Sequence, residues 1–371
     1  MGGSRKKLIM VYRVIGIMSG SSLDGLDIAF IQFTEQAKHW QFEILKADCR
    51  PFSGAWKERL RDAVSLSARE HALLDHDFGH YIGEEVNRFI EQHGLEYNVA
   101  LIASHGHTTF HLPPRATVQV GHGAAIAAET GLPVVSELRA VDVALGGQGA
   151  PIVPMGERLL WKDVPMFLNL GGIANISINT PGAYIAYDIC PANRVLNMLS
   201  AKAGKEYDDG GRLAAQGAVN GELLARIEAL PYYHQPYPKS LANDFGTDVV
   251  YPILDAAGGR TEDLLRTFTE HIAGQVCAAV EQHAHELGDS PSLMVTGGGA
   301  FNSFLVSRLR DLLSPMRVRV ELPEENIIQY KEALIMGLLG VLRWRDEPTT
   351  LASVTGASRD SIGGAVWNAG S

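Results

Sequence analysis

Val14 to Phe33 reads VIGIMSGSSLDGLDIAFIQF: an apolar run, a loop of small and hydroxyl residues, then a second apolar run. Gly16, Gly20 and Gly25 bracket Ser19, Ser21 and Ser22, with Asp24 and Asp27 close behind. A Gly/Ser loop at the end of a buried strand offers N–H groups and hydroxyls to a bound anion, most often phosphate. In a P-loop or a Rossmann unit a helix follows such a loop. Here Ile28 to Phe33 is short, apolar and bounded by polar residues, which is strand patterning. The loop is therefore the tip of a β-hairpin. Its composition fits a phosphate cradle and an ordinary turn equally, because turns also draw on Gly, Ser and Asp.

The rest of the chain decides what such a hairpin can belong to. Phe42 to Ala47 reads as a third strand, and Trp56 to about Leu95 as helical. Asn98 to Ala103 is a buried strand ending in the polar group Ser104-His105-Gly106-His107-Thr108. Gly123 to Thr130 is a short helix and Pro133 to Ser136 a strand, giving βββ-α-β-α-β. A Gly-rich link, Leu145 to Pro154, follows as a candidate hinge. The order then starts again. Met166 to Leu170, Asn175 to Asn179 and Ala183 to Ile189 are strands, the first two joined at Gly171-Gly172. Helical periods run through Thr261 to Glu286, Phe301 to Leu313 and Glu332 to Trp344. Leu293 to Val295 runs into Gly297-Gly298-Gly299, and Val318 to Leu322 is a further strand. The halves share no obvious sequence identity, yet the element order repeats, so two related α/β domains with a cleft between them are expected.

Composition removes other classes. With 371 residues and 46% hydrophobic content, the chain exceeds what a single core normally serves. Acidic residues number 42 against 32 basic, a net charge of −10, which argues against nucleic acid or anionic membrane as a partner. The basic cluster Arg5-Lys6-Lys7 precedes only a brief apolar run, a poor signal peptide, and no run approaches a membrane span. Cys49, Cys190 and Cys277 are far apart and odd in number, forming neither a disulfide framework nor a metal spacing. A cytoplasmic location is expected. The helices carry no exclusive dimer signature, which leaves a homodimer open.

GIMSGSSLDGLD resembles the phosphate loop of the anhydro-N-acetylmuramic acid kinases, within the actin, Hsp70 and sugar-kinase superfamily. The resemblance extends over nearly the whole chain: SHGHT at Ser104, GGQGAPIVP at Gly146, LNLGGIANI at Leu168, Pro238-Lys239-Ser240, VTGGGAFN at Val295 and VTGAS at Val354. It implies an α/β fold of two ribonuclease-H-like (actin-like ATPase) domains, residues 1–139 with 355–371, and 140–354. It implies a reaction in which water opens the sugar's 1,6-anhydro bridge while ATP, expected with Mg²⁺, phosphorylates O6. The product would be N-acetylmuramic acid 6-phosphate, in cell-wall recycling.

The resemblance also distributes roles. Asp188 falls at the catalytic aspartate, with Glu332 as its partner in holding water; otherwise each is a carboxylate at the start of a helix. Gly20, Ser21, Ser22, Leu23, Asp24, Gly25, Leu26 and Asp27 would hold the phosphates, together with Gly171 and Gly172. Gly297, Gly298 and Gly299 would let backbone approach the adenosine. Arg139 would meet the sugar's carboxylate or hydroxyls through its planar fork, its alternative being an ion pair with Glu137 or Asp142. His105 and Asn193 would contact the sugar. His105 and His107 lack a third ligand at a familiar zinc spacing. Asp24 is a candidate outer-shell ligand for the metal, and no full ligand set is assigned. The sugar-side motifs depart from the family. Cys190-Pro191-Ala192-Asn193 stands for Gly-Pro-Gly-Asn, Leu241-Ala242-Asn243-Asp244 for Thr-Gly-Arg-Glu, and the arginine-rich stretch around Arg139 is thinned. These changes keep open a kinase for a related amino sugar. Two further classes remain: an Hsp70-like nucleotide-gated binding protein, for which no client domain is evident, and a dehydrogenase, for which the opening loop lacks GxGxxG before a helix.

Overall fold

The structure, a computed structural model, describes residues 9–20, 23–237, 239–241 and 244–370. Ser21, Ser22, Pro238, Ala242 and Asn243 lie outside the described residues. The chain forms two compact units, Met1–Lys162 with Tyr330–Ser371, and Asp163–Gln329.

The first unit opens on β1 (Ile9–Ser19), β2 (Gly25–Gln36) and β3 (His39–Pro51). β1 and β2 pair antiparallel from Ile9↔Gln36 to Ser19↔Leu26, so the opening stretch is the hairpin its pattern called for. α1 (Gly54–Arg61), a 3₁₀ turn (Asp62–Ser65) and α2 (Ala68–His93) then break what sequence read as one helical stretch. The break follows from capping: Ser53 accepts from the Trp56 amide, and Ser67 and Glu70 form a reciprocal capping box that starts a new helix. α2 ends at Gly94, left-handed at φ 61°, and buries Leu74, Phe78, Ile82, Val86 and Phe89 along one face.

β4 (Leu101–Ser104) lies parallel to β1. β5 (His107–Leu112) and β6 (Ala116–Val120) form a separate hairpin that the sequence reading left out. α3 (Gly123–Thr130), β7 (Val134–Ser136), α4 (Ala140–Ala144) and α5 (Val153–Leu160) complete the first segment.

The second unit contains β8 (Met166–Leu170), β9 (Ile173–Asn179), β10 (Tyr184–Pro191), α6 (Asn193–Ala201), α7 (Arg212–Gln216), α8 (Gly221–Glu228), α9 (Tyr251–Ala257), α10 (Thr261–Glu281), β11 (Ser292–Thr296), α11 (Ser303–Leu313) and β12 (Arg319–Glu321). Its core packs β8 and β9 against α6 and α10, with Phe268, Ile272 and Val276 fully buried. α12 (Glu325–Trp344) starts there and continues into the first unit, which closes with α13 (Ala352–Thr355) and β13 (Ala365–Trp367).

The two sheets share one topology. The first runs β13-β7-β4-β1-β2-β3 and the second β10-β9-β8-β11-β12. Each has an antiparallel three-strand meander whose first strand continues into parallel neighbours. This is the ribonuclease-H-like order, repeated.

The units divide at other residues than the expected 139/140 and 354/355: Ala140 to Lys162 and Tyr330 to Val354 belong to the first unit. The reason lies in packing. A Cβ on Gly16 of β1 would strike the Ala333 carbonyl of α12 and come within 2.8 Å of the Gly337 nitrogen; one on Gly340 would lie 2.5 Å from Ala103 Cβ. α12 thus rests on β1 and β4 through glycines. α5 is tied to α12 by the buried Lys331–Glu157 pair at 2.7 Å. The Gly-rich link is latched by Asp142, which accepts from the Gly149 amide at 2.8 Å and the Thr355 hydroxyl at 2.7 Å.

Candidate functional site

In open α/β sheets, ligands bind at the carboxyl ends of the parallel strands. The candidate residues of each unit gather at that end of its own sheet, and the two sets are described separately.

In the first unit, the β1–β2 tip turns through Leu23, left-handed at φ 59°, whose N–H donates to the Gly20 carbonyl at 3.3 Å. Gly25 has no room for a side chain: a Cβ would sit 2.5 Å from the Arg50 carbonyl oxygen and 2.9 Å from Cys49 Sγ. Leu26 was expected among the phosphate residues, but it is fully buried and its side chain belongs to the core, so only its backbone borders the tip. Asp24 is exposed. Asp27 pairs in register with Met18 on one side and Cys49 on the other. Burial pushes the Asp27 carboxyl up to about 6; the Cys49 hydrogen bond opposes this, and the charges of Glu332 and Asp24 add to it. Burial, then the charge and hydrogen bond of Asp27 and the charge of Asp24, push the Cys49 thiol up to about 12, so it is no reactive thiolate.

Glu332 was expected in the first turn of its helix. It is instead inside α12, two residues past Tyr330, whose φ of −113° and ψ of 15° interrupt the helical path. The amphipathic pattern marked only the strongly apolar part, and the turn before it, Glu325 to Gln329, is polar enough to have been missed. Burial raises the Glu332 carboxyl above the usual carboxylate range, while Lys331 and Arg139 pull it back.

Arg139 follows β7 and precedes α4. Its Nε–H donates to His105 Nε2 at 2.9 Å. It pairs with neither Glu137 nor Asp142 among the described residues; Asp142 is fully buried and engaged by the Gly-rich link. Burial draws the guanidinium down to about 10, against the pull of Glu332. His105 has partners at both ring nitrogens, the second being the Gly106 carbonyl at 2.9 Å from Nδ1. His107 Nδ1 lies 3.0 Å from Ser19 Oγ, joining the β5 start to the end of β1. Burial lowers His107 to about 4, so it is neutral. Among the described residues no group of three or more His, Cys, Asp or Glu could hold a metal by itself.

In the second unit, Asp188 lies near the end of β10, where the pairing with β9 skips a residue between Asp188 and Cys190. Its Oδ2 accepts from the Leu241 amide at 2.9 Å, its backbone N–H donates to the Lys239 carbonyl at 3.3 Å, and its carbonyl accepts from the Tyr232 hydroxyl at 2.6 Å. Burial raises its pKa, and the Leu241 N–H opposes the rise. Leu241 therefore holds the carboxylate, while Lys239 and Tyr232 hold the Asp188 backbone. Lys239 belongs to the Pro238-Lys239-Ser240 motif, and its ammonium lies 4.7 Å from the centre of the Tyr232 ring. Cys190 and Ala192, which stand where the family has glycines, are both fully buried, and Ala192 at φ −136° and ψ −107° lies outside the broad β and α regions.

Asn193 opens α6 and donates from Nδ2 to the Leu170 carbonyl at 2.8 Å, which fixes α6 to the end of β8. Gly171 and Gly172 turn β8 into β9, and a Cβ there would make only ordinary contacts, 3.5 Å from the Ile173 carbonyl oxygen at Gly171 and 3.8 Å from Arg194 Cβ at Gly172. The triple glycine divides. Gly297, at φ 80°, and Gly299 approach the end of β8 so closely that a Cβ would strike Leu170 or Asn169, whereas Gly298 has only Asn193 within 4 Å. A tight strand-to-helix turn thus accounts for Gly297 and Gly299, and Gly298 is the one with open space beside it.

A ribonuclease-H-like sheet occurring twice in one chain, with glycine turns and carboxylates at each carboxyl end, defines the actin-like ATPase and sugar-kinase class. The family model for anhydro-N-acetylmuramic acid kinase matches residues 12–369. Proteins named anhydro-N-acetylmuramic acid kinase are 33% identical in Vibrio vulnificus, over 93% of this chain and 95% of that one, and 35% identical in Salinibacter ruber, over 93% of each. The protein of that name from Gloeobacter violaceus is 34% identical over 93% of this chain and 96% of its own length. The chain belongs to the anhydro-N-acetylmuramic acid kinase family. It is therefore an enzyme, a phosphotransferase with ATP as donor. No helix among the described residues is long and apolar enough to cross a membrane.

Proposed function

We propose that the protein opens the 1,6-anhydro bridge of anhydro-N-acetylmuramic acid with water and transfers the γ-phosphoryl group of ATP to the released O6. Asp188 is the observation that carries this reading. Among the described residues only its Oδ2 accepts a protein hydrogen bond, from Leu241, which leaves Oδ1 for a water. Burial makes the carboxylate a stronger base than an exposed aspartate.

In the balanced reaction, water forms the new bond to C1 and gives a proton to Asp188. The C1–O6 bond breaks with its electron pair on O6. O6 bonds to the γ-phosphorus as ADP leaves. Glu332 partners the water, and Arg139 takes the sugar's carboxylate through its Nη groups. The β1–β2 tip and the Gly171-Gly172 turn cradle phosphates, and the turn at Gly298 borders the adenosine. The exposed Asp24 at that tip fits a nucleotide-bound Mg²⁺, an ion that keeps several waters and needs only one or two carboxylates. When bound, Mg²⁺ would neutralise charge on the phosphates. We place the enzyme in the cytoplasm, as an enzyme of cell-wall recycling.

ADP release should be measured with anhydro-N-acetylmuramic acid, N-acetylmuramic acid and N-acetylglucosamine in turn. Release confined to the anhydro sugar is expected; preference for N-acetylglucosamine would favour a related amino-sugar kinase. Asp188→Asn should lower kcat by roughly 10²–10⁴ while sparing ATP binding. Turnover near that of the parent would remove Asp188 from the base role.

A further inference from the structure

We infer that His105 is a positioning residue for Arg139, acting through the lone pair on its Nε2 rather than touching the sugar. The inference deepens the proposed function, because it rests on Arg139 taking the sugar's carboxylate. Hydrogen-bond chemistry fixes the state of the ring. Nδ1 lies 2.9 Å from the Gly106 carbonyl, which only accepts, so Nδ1 carries the proton. Nε2 lies 2.9 Å from Arg139 Nε, which only donates, so Nε2 is unprotonated. An imidazolium would set N–H against N–H at Arg139. Burial and the Arg139 charge agree, drawing His105 down to about 3.

The backbone around His105 holds the ring in place. The His105 amide extends the β4 ladder to the Ile17 carbonyl at 3.1 Å. The Gly106 amide donates to Ser104 Oγ at 3.2 Å. Gly106 has φ +70°, and a Cβ there would lie 2.6 Å from the Val120 carbonyl oxygen. With both nitrogens engaged and 3% of its surface exposed, His105 has no polar atom for a sugar. Its effect is to occupy Arg139 Nε, so that the guanidinium offers its two Nη groups end-on to an anion. A neutral acceptor does this without cancelling the charge, which a carboxylate in the same place would do.

Two amides separate the functions of the ring. Gln at 105 places an oxygen near Nε2 and can accept from Arg139. Asn places its amide near Nδ1 and can serve only Gly106. For the sugar, KM in His105→Ala and His105→Asn should rise roughly 10–100-fold, as expected for a charged donor left without its acceptor. His105→Gln should return to within about 3-fold of the parent, and KM for ATP should stay within about 2-fold in all three. Equal sugar KM in all three, with Arg139→Lys still raising it, would overturn the positioning role alone. If Arg139→Lys leaves sugar KM unchanged, the reading of Arg139 itself fails. The unmutated enzyme gives an independent check. The ¹⁵N shifts of His105 should show the Nδ1–H tautomer throughout pH 5.5–8.5, and an imidazolium or Nε2–H form would overturn the inference.

Discussion

Asp27 concentrates the electrostatic tension of the first unit. It sits between Cys49 across the sheet and the carboxylates of Glu332 and Asp24, and burial is the largest reason its pKa stands at about 6. A carboxyl raised on folding stabilises the fold fully below its unfolded value, about 3.8, and that contribution is lost as pH rises through about 6. At pH 8 the charged form costs at most about 3 kcal/mol, and solvent at this half-buried site reduces that to about 1–2 kcal/mol. Asp27→Asn should therefore raise the melting temperature at pH 8, with the gain shrinking towards pH 4. Melting curves in nucleotide-free buffer at the two pH values check it; a gain independent of pH would contradict the assignment. Arg139 and Asp188 were legible as candidates through the family motifs in which they stand. Their supports were not. The Leu241 amide on Asp188, 53 residues away, and His105 on Arg139, 34 away, depend on tertiary approach that no local pattern encodes.

At the scale of elements, patterning served best where the apolar signal is strong, as in β1 and β2, whose central residues are buried on both faces. The β1–β2 hairpin was read from two short apolar runs and α10 from its helical period, and both are present. The β5–β6 hairpin was missed although His107 to Val120 holds two short alternating segments around Pro113-Pro114. Its strands are half-exposed, so its apolar signal is weak. The start of α12 was missed for the same reason. The closest fit between elements is the seat of α12 on β1. Gly16→Ala should cost about 1–3 kcal/mol, because its methyl meets helix backbone that has no rotamer to change. Gly54→Ala, at the start of α1 with nothing within 4 Å of the new Cβ, is the control and should cost nothing. Urea midpoints for the two variants decide it; equal midpoints would refute the packing argument.

The whole molecule repeats one topology with different continuity. The second unit is a single stretch of chain, Asp163–Gln329, with its own core. The first is assembled from two segments, since α12 and β13 return to it from the carboxyl-terminal part. The repeat was visible in the sequence as a recurring element order, but the crossing points were not. They are set by the Asp142 latch and the Lys331–Glu157 pair, which join residues 213 and 174 positions apart. A fragment of residues 163–329 should melt cooperatively, whereas residues 1–162 alone should not, lacking the helix that covers β1 and β4. Circular dichroism of the two fragments tests this division; a cooperative transition in the shorter amino-terminal fragment would contradict it.

The central claim is that ring opening and phosphoryl transfer are one coupled event. Carrying out the reaction in ¹⁸O water, with anhydro-N-acetylmuramic acid and ATP, and taking the product's mass spectrum at early times tests it most directly. Coupled chemistry gives a ring-opened sugar 6-phosphate with ¹⁸O on C1, none in the phosphate, and one ADP per sugar. A phosphorylated sugar with its anhydro ring intact, or ¹⁸O in the phosphate, would contradict it.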